Sequence, residues 1–443
     1  VTRLRLATRE TFRSLHVRNF RLFFGGQIIS QVGNWLTLVA QTLLVLSLGG
    51  GGLQLGLLAA AQFGPVLVIG PWAGLVADRS DKRRLLVIVQ SIAMAQSFAL
   101  AALAFSGSPP LAAIYAVAFV GGITIAFDNP ARRAFVVEMV PEDDINNAVS
   151  LNSALMTSSR IFGPALAGLL VVTAGFGWAF LLDGLSYIAV IVALVMMRTG
   201  ELRPAPVTPR AKGQVRAGLR YARSVPELWV PLLMMAIVGT LSYNFNVVFP
   251  LFVTQDLGGT KVTFTLLFSV VSVGALVGAL IVARRTRIEI RSVAVAALAY
   301  GAALGLMSLA PTTLVAFPVG ILVGLGSIAF LTASTAIVQI RSDPTMRGRV
   351  LALQAMVFLG STPIGGPILG WICEAFGART GVAVEAVAAI AAGAWGMAVA
   401  RRRHRATPLT RAQSAEATEL AIAELDDDAT PALAPSRITA ARP

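Results

Sequence analysis

Charge is scarce in this chain: Asp, Glu, Lys and Arg together make up 13% of 443 residues, against about 25% in a soluble globular domain. Cysteine is nearly missing as well. Cys373 stands alone, which excludes an internal disulfide and any cysteine-built metal cluster. His16 and His404 are the two histidines, both in basic stretches, so zinc sites and histidine-based triads find no material. No G-x-x-x-x-G-K-[ST] stretch occurs, which removes the phosphate-cradling loop of an ATP-driven machine. No metal, no cofactor and no enzyme constellation is expected.

What the chain has instead is apolar length. Apolar residues make up 56% of positions, the mean hydropathy is +0.75, and uncharged runs of about 20 residues recur, enough to cross a bilayer. Twelve spans are expected, at roughly 20–48, 53–77, 84–106, 110–130, 146–173, 177–197, 229–254, 263–283, 292–310, 313–338, 347–373 and 378–400. The 36 Lys and Arg give a net charge of +14, and all but Arg160, Lys261 and Arg379 fall on one side of that alternation. By the positive-inside rule both termini are cytoplasmic, in a multi-pass protein of the cell membrane. The positive charge then marks topology and not a nucleic-acid partner. The first span is as long as a full crossing and lacks a small-residue cleavage site, so no removable signal peptide is expected.

The chain repeats itself. At an offset of 203 without a gap, Pro141 falls on Pro344, Gly121 on Gly324, and Gly163-Pro164 on Gly366-Pro367. The expected fold is therefore an all-α membrane protein, twelve transmembrane helices in two pseudo-symmetric six-helix bundles around a central site. Its parts are a cytoplasmic segment 1–19, a bundle 20–197, a cytoplasmic linker 198–228, a second bundle 229–400 and a disordered cytoplasmic tail 401–443. Both bundles lie in one chain, so a monomer is expected. In the linker, Val215, Leu219 and Ala222 share one helical face while Arg216, Arg220 and Arg223 share the other. That pattern suits a basic amphipathic helix on anionic membrane lipids; a solvated linker has the same composition.

Three stretches carry the chemistry. Arg160 lies about 24 Å beyond Asp144 at 1.5 Å per residue, too deep to reach the interface easily. An ionisable group there faces a bundle interior or a wet cavity, with Asn152, Ser153 and Thr157 nearby on the same span. The alternative is a structural ion pair with Asp128 or Asp183. Three residues on, Gly163 lets a neighbouring helix approach and Pro164 bends the span. In the first span Gln27, Gln31, Asn34 and Gln41 form one helical stripe, either interhelical glue or the lining of a neutral aqueous cavity for a small molecule. Trp35, Met156, Phe245 and Met356 would supply its apolar walls. The third stretch is "GPWAGLVADRSDKRR", residues 70–84, where Gly70 and Gly74 allow close helix contact and Asp78 precedes a basic turn.

That third stretch, G-x-x-x-D-R-x-x-K-R-R, resembles the loop signature between the second and third spans of the major facilitator superfamily. The Gly163-Pro164 site is similar to the motif of its drug-export branches. "RNFRLFFGGQIISQVGNWL" and "NPARRAFVVEMVPEDDINNAVSLNSAL" look most like the branch of enterobactin exporters and macrolide or multidrug efflux pumps. The resemblance covers residues 17–400 and implies a secondary active transporter that exports amphipathic molecules, driven by protons. A dedicated metabolite exporter or an importer keeps the same fold; a membrane sensor or scaffold is the reading from another class. The resemblance also implies that Gly74, Asp78, Arg79 and Arg83 form a conformational gate, with Asp78 meeting the start of the eleventh span. By the repeat, Arg284, Arg285 and Arg287 are expected either to face Glu142, Asp143 and Asp144 in a second latch, or to be positive-inside charge beside an ordinary helix N-cap. Departures exist: Asp81 stands where the signature has Gly, and Ser159 replaces the first Gly of the export motif. The first span carries no acid, so the proton-carrying candidates are Asp183, Asp128 and Glu385, each equally able to cap or pair.

Overall fold

The computed structural model describes residues 11–203, 214–283, 288–343 and 346–427. Among the described residues there is no strand, and twelve stretches are long and apolar enough to cross a membrane. The first half contains α1 (Arg18–Ser47), α2 (Gly52–Arg79), α3 (Lys82–Phe105), α4 (Leu111–Glu138), α5 (Ile145–Thr173) and α6 (Phe176–Val195). A short α7 (Gln214–Ser224) lies in the linker. The second half begins with a broken span, α8 (Pro226–Ser242) and α9 (Phe245–Leu251), and continues through α10 (Lys261–Ala283), α11 (Ile290–Ser308), α12 (Thr313–Arg341) and α13 (Arg347–Phe376) to α14 (Ala378–Asp427). The expected twelve-helix, two-bundle architecture is what the chain adopts.

Local chemistry sets the breaks. Asp81, where the loop signature has Gly, is the N-cap of α3 and accepts from the Arg84 N–H at 3.0 Å, so the turn is made by a cap instead of a flexible residue. The turns before the last span of each half rest on Gly175 (φ 93°) and Gly377 (φ 89°), a region other residues rarely adopt. At Tyr243 and Asn244 helical backbone stops within the membrane, which is tolerated only where protein or a cavity satisfies the freed groups.

Within the first half α1 packs on α5 and α6, α2 on α4, and α3 on α4 and α6; within the second α12 packs on α10 and α11, and α8 on α13. Two pairs join the halves most extensively, α2 with α13 and α5 with α10, and α9 also touches α2 and α1. Because lipid is as apolar as leucine, such pairs depend on close van der Waals contact and polar bonds. One end of the molecule carries the Arg- and Lys-rich turns and is called the basic face below; there Phe20, Phe23, Leu86, Phe135 and Leu194 form a fully buried cluster.

Two expectations are corrected. The linker helix α7 exists, but Ala222 is fully buried, Gly218 lies against Arg349, and the Tyr221 hydroxyl accepts from the Asp343 N–H at 2.9 Å. Protein, not lipid alone, therefore covers its apolar side. From residue 401, where disorder is expected, α14 continues to Asp427, as a composition rich in Ala, Leu, Glu and Arg favours. A compact unit ends at Gly396, and the helix beyond it is a separate unit.

Candidate functional site

A cavity of about 350 Å³ lies inside the first half, small among ligand pockets. Gln31, Asn34 and Gln41 of the α1 stripe line it, and Gln62, Gln90, Gln96 and Asn129 add amides from α2, α3 and α4. Gln27 sits behind the lining, accepting from Gln31 at 3.2 Å and from the Arg132 guanidinium at 3.2 Å. The Tyr187 hydroxyl donates to Asn34 Oδ1 at 2.8 Å, and Gln62 donates to Gln41. The stripe thus serves both of its readings at once, bonding helices and lining a cavity. Trp35, Phe63 and Met156 give the apolar wall, whereas Phe245 belongs to an aromatic cluster with Tyr243, Phe249 and Tyr300.

The charge in this cavity is balanced. Asp128 and Arg132, one helical turn apart on α4, form a buried ion pair, and Gln90 Nε2 donates to the free Asp128 oxygen at 2.7 Å. Three buried polar atoms here, Gln41 Nε2, Gln90 Oε1 and Arg132 Nε, have no protein partner. Leaving such atoms dry costs about 1–3 kcal/mol each, so they suit water or a bound polar molecule. Sequence reading missed Arg132 because it lies near the expected span end and resembles an ordinary loop charge.

Arg160 and Asn152 are not among the cavity's lining residues. The Arg160 guanidinium lies within electrostatic reach of Tyr243 and Tyr300 of the second half, and its Nε has no partner. The ion pair considered from the sequence is not formed: Asp128 is occupied by Arg132. Asp183 is fully buried, and one oxygen accepts from Thr37 at 2.5 Å and from Ser97 at 2.7 Å. Its other oxygen has no partner. Glu385, also fully buried, accepts at 3.3 Å from the Asn244 N–H at the break of the seventh span, and its second oxygen is likewise free. The three acidic candidates therefore stand apart, one paired with a cation, one held by hydroxyls and one capping a half-helix.

The gate residues divide too. Gly74 faces open space, and Asp78 and Arg79 are exposed. Arg83 instead closes α6, donating to the carbonyls of Leu194 at 2.6 Å and Val195 at 3.0 Å, the usual role of a cation at a helix C-terminus. Beside it Lys82 and Glu138 form a buried pair at 2.7 Å. Asp144 pairs with Arg13 at 2.6 Å, and Arg13 also donates to the Asp143 carbonyl; Glu142 begins the same turn. Arg284, Arg285 and Arg287 lie outside the described residues. In the export motifs, Gly163 abuts the Trp35 side chain and Pro164 stays within α5, while Gly366 abuts Gly56 and Ala59 and precedes Pro367 within α13.

The α2–α13 pair is in closest contact at one end. At the face opposite the basic turns, Gly52 meets Gly370 and Gly56 meets Gly366 and Pro367 backbone to backbone. Leu53 N–H donates to Glu374 Oε2 at 2.9 Å, Gly168 of α5 abuts Thr265 of α10, and Lys261 lies 5.2 Å over the Phe176 ring. Towards the basic face a methyl group on Gly74 or Gly348 would meet nothing within 4 Å. The halves touch backbone to backbone at the far face, and no such contact is made at Gly74 or Gly348.

Comparison with known proteins agrees with this architecture. The family described as transmembrane secretion effector matches residues 9–433. The chain is 23% identical to macrolide efflux protein A of Streptococcus pyogenes over 352 residues, 78% of this chain and 87% of that protein. To the enterobactin exporter EntS of Escherichia coli it is 22% identical over 79% of this chain and 84% of that one; two other curated relatives match over only 51% and 44% of their own lengths. Among solved structures, a bacterial homologue of the human lysosomal transporter Spinster, crystallised inward-facing and unoccupied, superposes with a TM-score of 0.69. That match has 15% identity and covers 86% of this chain and 96% of that one.

Proposed function

The chain belongs to the transmembrane secretion effector family of the major facilitator superfamily, and from that premise we propose that it exports amphipathic small molecules, with protons as the driving ion. One observation carries the reading: an amide-rich, charge-balanced cavity with an aromatic wall lies in a molecule whose halves meet backbone to backbone at the far face and leave Gly74 and Gly348 without such contacts at the basic face. Assigning the basic face to the cytoplasm gives a carrier poised to load from inside. Such a cavity suits molecules with both apolar surface and several neutral polar groups. The names of the relatives, a macrolide efflux protein and an enterobactin exporter, support the outward direction.

In the proposed cycle, substrate enters from the basic face and satisfies the unpartnered Gln41, Gln90 and Arg132 atoms. Arg160 links that event to the second half through Tyr243 and Tyr300. Asp183 is the first candidate to carry the proton, because its neighbours are hydroxyls and no cation is bonded to it. The density of amides also supports a narrower reading, a dedicated metabolite or siderophore exporter, since fixed hydrogen bonds select one shape.

Inside-out membrane vesicles decide between these. Energised vesicles should accumulate a fluorescent amphipathic dye, and an uncoupler should abolish the accumulation. Uncoupler-insensitive or absent accumulation of every amphipathic probe would sink the proton-driven export reading.

A further inference from the structure

Lys82 and Arg132, the cations buried inside the first half, each have a carboxylate beside them, Glu138 at 2.7 Å and Asp128. Arg160, in the middle of α5, has none. Among the described residues no carboxylate lies within ion-pair distance of it, and its guanidinium makes no hydrogen bond to protein. The acids inside the two halves are committed elsewhere: Asp128 to Arg132 and Gln90, Asp183 to Thr37 and Ser97, Glu385 to the Asn244 N–H. Tyr243 and Tyr300, within electrostatic reach of Arg160, supply no negative charge either. Each gives its hydroxyl proton to a backbone carbonyl, of Ser327 and of Ser242, and is therefore a neutral phenol.

An uncompensated cation at this depth is costly to keep, and its position gives it a use. Met156 and Ser159 of the same helix line the amide cavity. Arg160 comes four residues after Met156, about 6 Å along the axis and about 40° round it. A molecule seated among the amides thus has a free guanidinium within one helical turn of it. The cavity itself favours neither sign of charge, because Arg132 and Asp128 cancel; Arg160 beside it favours an anion.

We propose that Arg160 is an anion subsite and that the cargo brings the missing counter-ion as a carboxylate, with its body against the amides and Trp35. A guanidinium presents a planar fork of N–H donors, which a carboxylate meets with two parallel bonds. Pairing also cancels the charge, so the loaded site is relieved of a desolvation cost that the empty one carries. The preferred cargo is therefore an amphipathic acid. A neutral molecule of the same shape leaves the guanidinium bare, and a cation adds repulsion. This inference deepens the export reading and rests on it for the direction of movement.

Equilibrium binding tests it, with full-length protein in phosphatidylcholine nanodiscs and the signal of empty discs subtracted. The probes are dansyl-phenylalanine, an amphipathic acid, and its carboxamide, which keeps the body and loses the charge. Wild type should bind the acid at least about tenfold more tightly than the amide, equivalent to about 1.4 kcal/mol. Arg160→Gln should bring that ratio to about one, while Arg160→Lys, a cation without the fork, should leave an intermediate preference. Equal affinity for the two probes in wild type, or no binding of the acid, would overturn the proposal whether or not either variant folds. A preference undiminished in Arg160→Gln would place the anion elsewhere and overturn it too. Two further arms separate cargo from other anions: replacing gluconate by chloride at fixed ionic strength, and adding phosphatidylglycerol to the discs. Both should leave the preference in place; its abolition by either would assign Arg160 to an inorganic ion or a lipid headgroup and sink the cargo assignment. A clear preference in protein that fails uncoupler-sensitive vesicle accumulation would count against proton-driven export and leave the subsite standing.

Discussion

The two halves share a skeleton and differ in what they hold. Counted from the turn glycines Gly175 and Gly377, Asp183 and Glu385 occupy the same place, eight residues on. Both are fully buried, both bond to the first span of their own half, and both leave one oxygen free. Yet Asp128 and Arg132 of α4 fall, at the repeat offset of 203, on Leu331 and Thr335 of α12. Arg160 falls on Pro363, and Gln90 on Val293. In place of this amide and ion-pair chemistry the second half has tyrosines, with Tyr243 donating to the Ser327 carbonyl and Tyr300 to that of Ser242. Duplication has kept the backbone devices and reassigned the polar interior, so one half is equipped to hold a polar molecule and the other to brace a broken helix.

The sharpest way to break that comparison is the ion pair. Arg132→Ala strands a buried carboxylate and should cost about 3–5 kcal/mol, read by chemical unfolding in detergent. The double change Asp128→Leu with Arg132→Thr, which copies the second half, should recover most of that stability while vesicle transport stays lost. Recovery of transport as well would show that the pair only braces the bundle.

Arg160 should behave in the opposite way. With no carboxylate bonded to it, Arg160→Ala leaves no orphan anion, so thermal stability should change by less than about 1 kcal/mol while transport falls at least about tenfold. A destabilised variant that still transports would assign Arg160 to structure.

Smaller effects test the stripe and the acidic turn. Cysteines at Gln31, Asn34 and Gln41, with Cys373 removed, should react with water-soluble thiol reagents faster than one at Val39, which is 1% exposed. Equal protection would make the cavity dry. Arg13→Ala opens a half-exposed pair with Asp144 and should cost only about 0.2–1 kcal/mol. Any large loss of transport there would give the acidic turn a gating role in the first half alone.

Much of this was legible before the structure. Span number, the paired halves, the amide stripe and the glycines of α2 all follow from period and composition, which are local properties. Partner choice was not legible, because it depends on which helices meet. Asp128 found Arg132 on its own helix, Arg83 bonded the end of α6, and Arg160 came within electrostatic reach of tyrosines of the other half. Glu374 gave no signal at all, since a single acid at the end of a span looks like any loop residue. Its meaning appears only when α13 is set against α2.

The backbone contacts of Gly52 with Gly370 and of Gly56 with Gly366 and Pro367 have an evolutionary consequence. A single methyl group on Gly52, Gly56 or Gly370 would fall within 3 Å of backbone across the joint, so sequence drift there is confined to the smallest residue, while the polar residues elsewhere in the two halves are free to diverge.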